Sequence, residues 1–321
     1  MPAKPHDLTA ALQGHDRPLS ADEPMAEAGR VVLLRDFIDM LDHEAGALAG
    51  EDIEDVHQMR VATRRMRSAL RLLEPYYTGK TAGKFRKQLG EIADVLGDIR
   101  DRDVLLEAMT DYLPTLPETM QDELKRVMQF IEGEREAERN DLHHLVSKRS
   151  YGRFIEAFQA FLTTPESHAV GLTQHGTVKP IAVRHVLPTV IHEHLGAVRA
   201  YGAVIESADG PTLHQLRIEF KRLRYTIALF AEILGTGAQA FLKELKKVQD
   251  LLGRMQDIIT AHALLDPMQA RLDEAQLEAL SAYFVHLDEE YEVLRGEVLE
   301  VWRKFESRTV QRQLTGAVAV L

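Results

Sequence analysis

Apolar residues recur along this chain at spacings of three and four, the period of an α-helix with one buried face. Segments 25–48, 54–74, 82–109 and 118–147 read as helices on that pattern, and a shorter apolar stretch follows at 153–162. Pro75 ends the second segment, and Pro114 and Pro117 separate the third from the fourth. Residues 164–178 carry Pro, Gly, Ser and Thr and read as a linker. Helical periodicity resumes over 182–201, 211–234, 240–265 and 273–305, with Pro211 suited to a first turn. No segment alternates apolar and polar residues strongly enough to predict a strand. The predicted fold is all-α.

The helices of the two halves come in the same order. Their clearest correspondence is HQMRVATRRMR from His57 and HQLRIEFKRLR from His214, with every matched pair 157 residues apart. The repeat predicts two four-helix-bundle-like units related by a pseudo-twofold, at 25–163 and 179–310, joined by the linker 164–178. Residues 1–24 are expected to be a flexible N-terminal tail and 311–321 a C-terminal tail.

Within the first strip, His57, Arg60, Arg64, Arg67 and Arg71 are spaced three, four, three and four apart, so they share one helical face. Val56, Met59, Thr63, Met66, Leu70 and Leu73 form a mostly apolar stripe beside it. In the second copy His214, Arg217, Lys221 and Arg224 repeat the basic stripe. Leu213, Leu216, Phe220, Leu223, Ile227 and Phe230 repeat the apolar one. The apolar stripes are bundle seams. The basic stripes have no such explanation, because cations along one face repel one another and acids at pairing distance are missing. A solvated Arg face leaves the leading His of each copy unexplained. The pattern predicts two stripes facing a shared groove that holds a polyanion. Arg suits phosphate through its planar, permanently charged fork, and His adds a donor whose protonation a bound anion favours. Arg65 and Arg222 lie one step off the stripes and are read as rim contacts or exposed residues. Arg30 with Arg184, and Lys87 with Lys243, match in register on neighbouring helices and are secondary candidates.

Net charge sharpens this picture. The chain of 321 residues carries −11, yet 57–71 carries +5 and 214–225 carries +3, which leaves −19 elsewhere. A basic strip in an acidic body marks a focused anion site and argues against general nucleic-acid binding. There are no cysteines, which excludes disulfides, thiolate metal sites and cysteine nucleophiles. No export signal or membrane-spanning run is read, so a cytoplasmic protein is expected.

The paired H-x-x-R-x-x-x-[RK]-R-x-R strips, each followed by a Leu-Gly helix (VLGDIRD, LLGRMQD), resemble the CHAD family, the conserved histidine α-helical domain. The resemblance runs over roughly residues 25–310. It implies helical bundles around a basic central channel that binds inorganic polyphosphate, and association with polyphosphate granules. The strips offer phosphate contacts but no positioned carboxylate base or metal site, so no catalytic residue, no metal and no cofactor is expected. Arg100 stands where the second copy has Gln256, which breaks the repeat at that point. Three other functions share part of this pattern. A histidine phosphotransfer protein needs one exposed His and no second strip. A di-metal carboxylate bundle is suggested by the Glu54/His57 spacing but refuted by Pro211 in the second copy. A nucleic-acid backbone binder shares the phosphate chemistry but lacks stacking aromatics in the strips.

Overall fold

Each predicted helix has an apolar seam to bury, and the computed structural model, which describes residues 5–174 and 176–321, buries them against one another. In the first half the helices are α1 (Pro5–Gln13), α2 (Met25–Ala49), α3 (Ile53–Leu73), α4 (Thr81–Tyr112), α5 (Glu118–Ser147) and α6 (Arg149–Thr163). The second half contains α7 (Val183–Arg199), α8 (Gly210–Leu229), α9 (Gly237–Leu265), α10 (Glu274–Phe305) and α11 (Arg308–Val318). The fold is all-α. Its one departure is a minimal hairpin in the linker, where Thr173–Gln174 pairs antiparallel with Thr177–Val178.

Both strip helices start on an aspartate cap. Asp52 accepts from the Glu54 N–H at 2.8 Å, and Asp209 accepts from the Thr212 N–H at 2.9 Å. Ahead of α3, Gly50 takes the left-handed conformation (φ 68°) that lets its N–H close α2 on the Gly46 carbonyl. All six seam positions of α3 are buried, and so are all six of α8. Burying a large apolar side chain contributes about 1.5–3 kcal/mol. The seams therefore fix how each strip helix is rotated, and the cationic faces are carried where that rotation points them.

Helices of the same rank touch across the halves: α2 with α7, α3 with α8, α4 with α9 and α5 with α10. Apolar packing does not divide along the repeat. The larger core joins α2, α3 and α6 to α7, α8, α11 and the first part of α9. A smaller one joins Leu105–Met109 and Leu124–Ile131 to Ile258–Leu265 and Ala279–Leu287. The long helices α4 and α9 run through both cores.

Two segments expected to be tails are part of this packing. The first four residues lie outside the described residues. Beyond them α1 buries Leu12 completely, and Leu19 is 8% exposed. Arg35 of α2 holds Asp16 and Glu232, each at 2.7 Å, and so ties this segment to the second half. At the other end, α11 includes most of 311–321 and packs on α9 through Val310, Leu314 and Ala317. Apolar spacings of four and three along 310–317 give α11 its buried face.

Candidate anion-binding site

Helices α3 and α8 meet directly, and their basic stripes converge. Between them and α4 lies a cleft of about 180 Å3. Its lining comprises Arg64, Arg67, Ser68 and Arg71 from α3, Arg86 from α4, and Ile218, Lys221, Arg222 and Tyr225 from α8. It continues past Arg71 and Arg222 into a second cavity of about 330 Å3 against α7.

Like charges are crowded here. Lys221 faces Arg64, Arg217 and Arg60; its burial, and then those three guanidiniums, push its pKa down to about 6. Burial first, and Arg64 second, also lower the pKa of Arg217 and of Arg60. Arg64 of one strip thus acts on Arg217 and Lys221 of the other. At the mouth, burial and then Arg222, Arg86 and Arg67 lower the pKa of Arg71. Some cations have local partners: Arg60 with Asp101 at 3.6 Å, Arg67 with Asp94 at 3.8 Å, Arg86 with Glu74 at 2.6 Å and Arg222 with Glu219 at 2.6 Å. Among the described residues, Arg64, Arg71, Arg217, Lys221 and Arg224 have no carboxylate within 4.0 Å. A cluster of partly buried, unpaired cations is unfavourable in the empty protein and is relieved by an anion.

The leading histidines differ. His57 is half-buried with its Nδ1 lacking a hydrogen-bond partner; burial, and next the Arg100 guanidinium, hold its pKa below the ordinary imidazole value. His214 donates from Nδ1 to Gln256 Oε1 at 2.5 Å. Gln256 is the residue that replaces Arg100 in the second copy.

Several sequence candidates lie elsewhere. Arg65 is turned toward α2, 3.7 Å from Asp36, and does not line the cleft. Its partner is 6% exposed, and that burial raises the Asp36 pKa to about 7 against the opposing pull of Arg65. Arg30 is buried; it donates to the carbonyls of Phe161 at 3.0 Å and Ser167 at 2.6 Å, pairs with Glu27 and lies over the Phe161 ring. Its charge is consumed in holding α2 to the end of α6, so it is no anion ligand. Arg184 is exposed and paired with Asp22 of the N-terminal segment. Lys87 and Lys243 are exposed and line no part of the cleft. Arg224 lies over the ring of Tyr225, 5.7 Å from its centroid, and so borders the cleft through that neighbour.

Arg86, Ser68 and Tyr225 belong to the site and were not singled out by the sequence. Arg86 has Leu242 in the second copy, so a search by matched pairs passes over it. A helical signal was available: Arg86, Asp94 and Asp101 share the face of α4 that meets the Arg-rich stripe. On α7, His192 Nδ1 donates to the Pro188 carbonyl at 2.7 Å and His194 Nδ1 is hydrogen-bonded to Thr226 Oγ1 at 2.9 Å. No helix among the described residues is long and apolar enough to cross a membrane.

Known proteins share this architecture. The crystal structure of the CHAD domain from the plant Ricinus communis superposes with a TM-score of 0.67 at 23% identity, covering 96% of each chain. PptA from Streptomyces chartreusis superposes with a TM-score of 0.62 at 14% identity, over 88% of this chain and 100% of that one. These likenesses concern the fold. An uncharacterized protein of Mycobacterium tuberculosis, strain H37Rv, is 31% identical over 219 residues, 67% of this chain. The chain spans 40% of that relative's length. The family model of the CHAD domain matches residues 32–266, which take in both strips and the cleft between them, and the chain belongs to the CHAD domain family.

Proposed function

We propose that this protein binds inorganic polyphosphate in the cleft between α3 and α8, as a non-catalytic module that associates with polyphosphate granules in the cytoplasm. The observation that carries this reading is the convergence of Arg64, Arg71, Arg217 and Lys221, drawn from both strips and without a carboxylate partner. A flexible chain of closely spaced phosphates matches such a row of cations better than a stiff duplex does, since an acidic body surrounds the row. Arg supplies bidentate contacts, and the Tyr225 and Ser68 hydroxyls add neutral donors at the wall. Among the described residues no carboxylate lines the cleft, and the acids beside it, Asp94, Glu74 and Glu219, are each held by a cleft arginine, which favours holding a bound chain over hydrolysing it.

Fluorescence polarisation with a ladder of polyphosphate lengths tests the reading. Orthophosphate and pyrophosphate bind weakly, and affinity climbs with length. Log affinity falls linearly with log salt by about 0.7 for each phosphate neutralised, the slope typical of single strands. Pyrophosphate binding as tightly as long chains, or a slope near zero, overturns it.

A further inference from the structure

The cations of the cleft are unevenly balanced along its length. Toward the mouth, Arg64 and Arg71 have no carboxylate within 4.0 Å, Lys221 lies beside them, and the acids there, Asp94, Glu74 and Glu219, are paired one to one with Arg67, Arg86 and Arg222. Toward the first turns of α3 and α8, a carboxylate of α4 and one of α9 stand among the cations without an arginine salt bridge closer than 3.6 Å. There Asp101 of α4 stands 3.6 Å from Arg60. Asp257 of α9 lies in the field of Arg217 and of Asp101. Both line one small cavity at the α4–α9 contact. Behind them that cavity is walled by Leu105, Ala261, Tyr283 and Leu287 of the smaller apolar core. Beyond Arg254 a further cavity, of about 430 Å3, is rimmed by Glu107, Asp111 and Glu290. An anion moving inward from the mouth thus meets cations, then two carboxylates with Arg100 and Arg254 near them, then packed hydrocarbon and more acid.

We infer that Asp101 and Asp257 are specificity-determining residues that end the anion groove and set how many phosphates it holds. The inference rests on the polyphosphate reading of the same cleft. From Arg71 to Arg60 the strip rises about 16 Å, at about 1.5 Å per residue. That length bounds the run of phosphates in direct contact. A phosphate placed past Arg60 and Arg217 faces two negative charges, and repulsion from the half-buried Asp257 is less screened than that from the more exposed Asp101.

The test compares the intact wild-type protein with Asp101→Asn/Asp257→Asn and with each single change, on a ladder of polyphosphate lengths at several salt concentrations. A parallel ladder of oligothymidylates reads the same boundary with a different phosphate chain. Circular dichroism and melting establish that each variant folds, and the single changes keep the test decisive if the double variant does not. Wild-type affinity levels off at a short chain length. The double change moves the plateau to longer chains, tightens long-chain binding about tenfold and steepens the salt dependence by about 0.7 per added phosphate. An unmoved plateau overturns the inference. So does a loss of affinity, which assigns the carboxylates to positioning Arg60 and Arg217. Failure of the polyphosphate reading shows separately, as wild-type protein that ignores every polyphosphate length; the oligothymidylate plateau then decides the inference.

Discussion

His57 and His214 head strips of the same spacing, and the two strips meet different surroundings. The first is denser: Arg71 corresponds to Ala228, and Arg64 to Lys221. Arg100 and Arg86 of α4 reinforce it, whereas α9 offers Gln256 and Leu242 at those places. The off-stripe pair divides the other way, Arg222 lining the cleft while Arg65 turns to Asp36. A repeated motif has thus been kept as a spacing of cations while the two copies acquired unequal loads. The first copy supplies most of the permanent charge. The second supplies Lys221, whose pKa burial and the neighbouring guanidiniums bring down to about 6.

The largest expected effect breaks both halves of that comparison in turn. Arg60→Glu/Arg64→Glu/Arg67→Glu and Arg217→Glu/Lys221→Glu/Arg224→Glu each lower polyphosphate affinity by more than about 100-fold, since every reversal removes a contact and adds repulsion. The first triple loses more, because Arg64 and Arg67 both line the cleft while Lys221 alone does so in the second. Polarisation measures the loss, with helicity checked by circular dichroism. Full affinity in either triple variant removes the shared site.

Next in size is Lys221. Its ammonium is charged in the unfolded chain up to its ordinary value of 10.5 and in the folded protein only below about 6. Between those limits the unfolded chain binds more protons, so stability rises with pH across that window. Lys221→Met abolishes this rise and stabilises the empty protein by about 1–2 kcal/mol at pH 7, read from denaturant melts at several pH values. The same change weakens polyphosphate binding about tenfold, the scale of one charge-assisted contact. In the wild type, affinity rises as pH falls from 8 toward 6, because the bound anion draws a proton onto Lys221. A flat pH profile leaves Lys221 charged throughout and removes the asymmetry between the strips.

Arg222→Gln and Arg65→Gln sharpen the comparison at matched positions. The first weakens binding several-fold by removing a mouth cation. The second leaves binding unchanged and leaves the buried Asp36 carboxyl without its cation, costing about 1 kcal/mol of stability. Equal binding losses return Arg65 to the site.

These pairs also show what the sequence made legible. The seams were readable in full, because burial follows helical period: all twelve predicted seam positions, from Val56 to Phe230, are buried. The central cations were readable because Arg60, Arg64 and Lys221 form a stripe of the same helical spacing directly beside those seams. Register in the repeat was a poorer guide. It grouped Arg30 with Arg184, yet one is locked under Phe161 and the other reaches Asp22 at the surface. It hid Arg86, whose counterpart is apolar. The spacing could not tell which way Arg65 and Arg222 turn, since that depends on a buried aspartate contributed by α2. The terminal helices lie outside the repeat, so register does not reveal them, although Val310, Leu314 and Ala317 carry a helical period of their own.

The smallest expected effect concerns the leading histidines. Burial is the larger influence holding the His57 pKa down, and Arg100 is the next. Arg100→Gln gives the first strip the neighbour that the second already has in Gln256. The His57 imidazole then titrates at higher pH than in the wild type, and still below its ordinary value because the burial remains. A histidine-resolved NMR titration reads the change directly. Calorimetry in buffers of different ionisation enthalpy reads its consequence: at pH 7, wild-type protein takes up protons when polyphosphate binds, Lys221→Met takes up far fewer, and Arg100→Gln changes the uptake only slightly. Proton uptake that survives Lys221→Met intact transfers the adjustable charge from the second strip to His57, and with it the division of labour between the two copies.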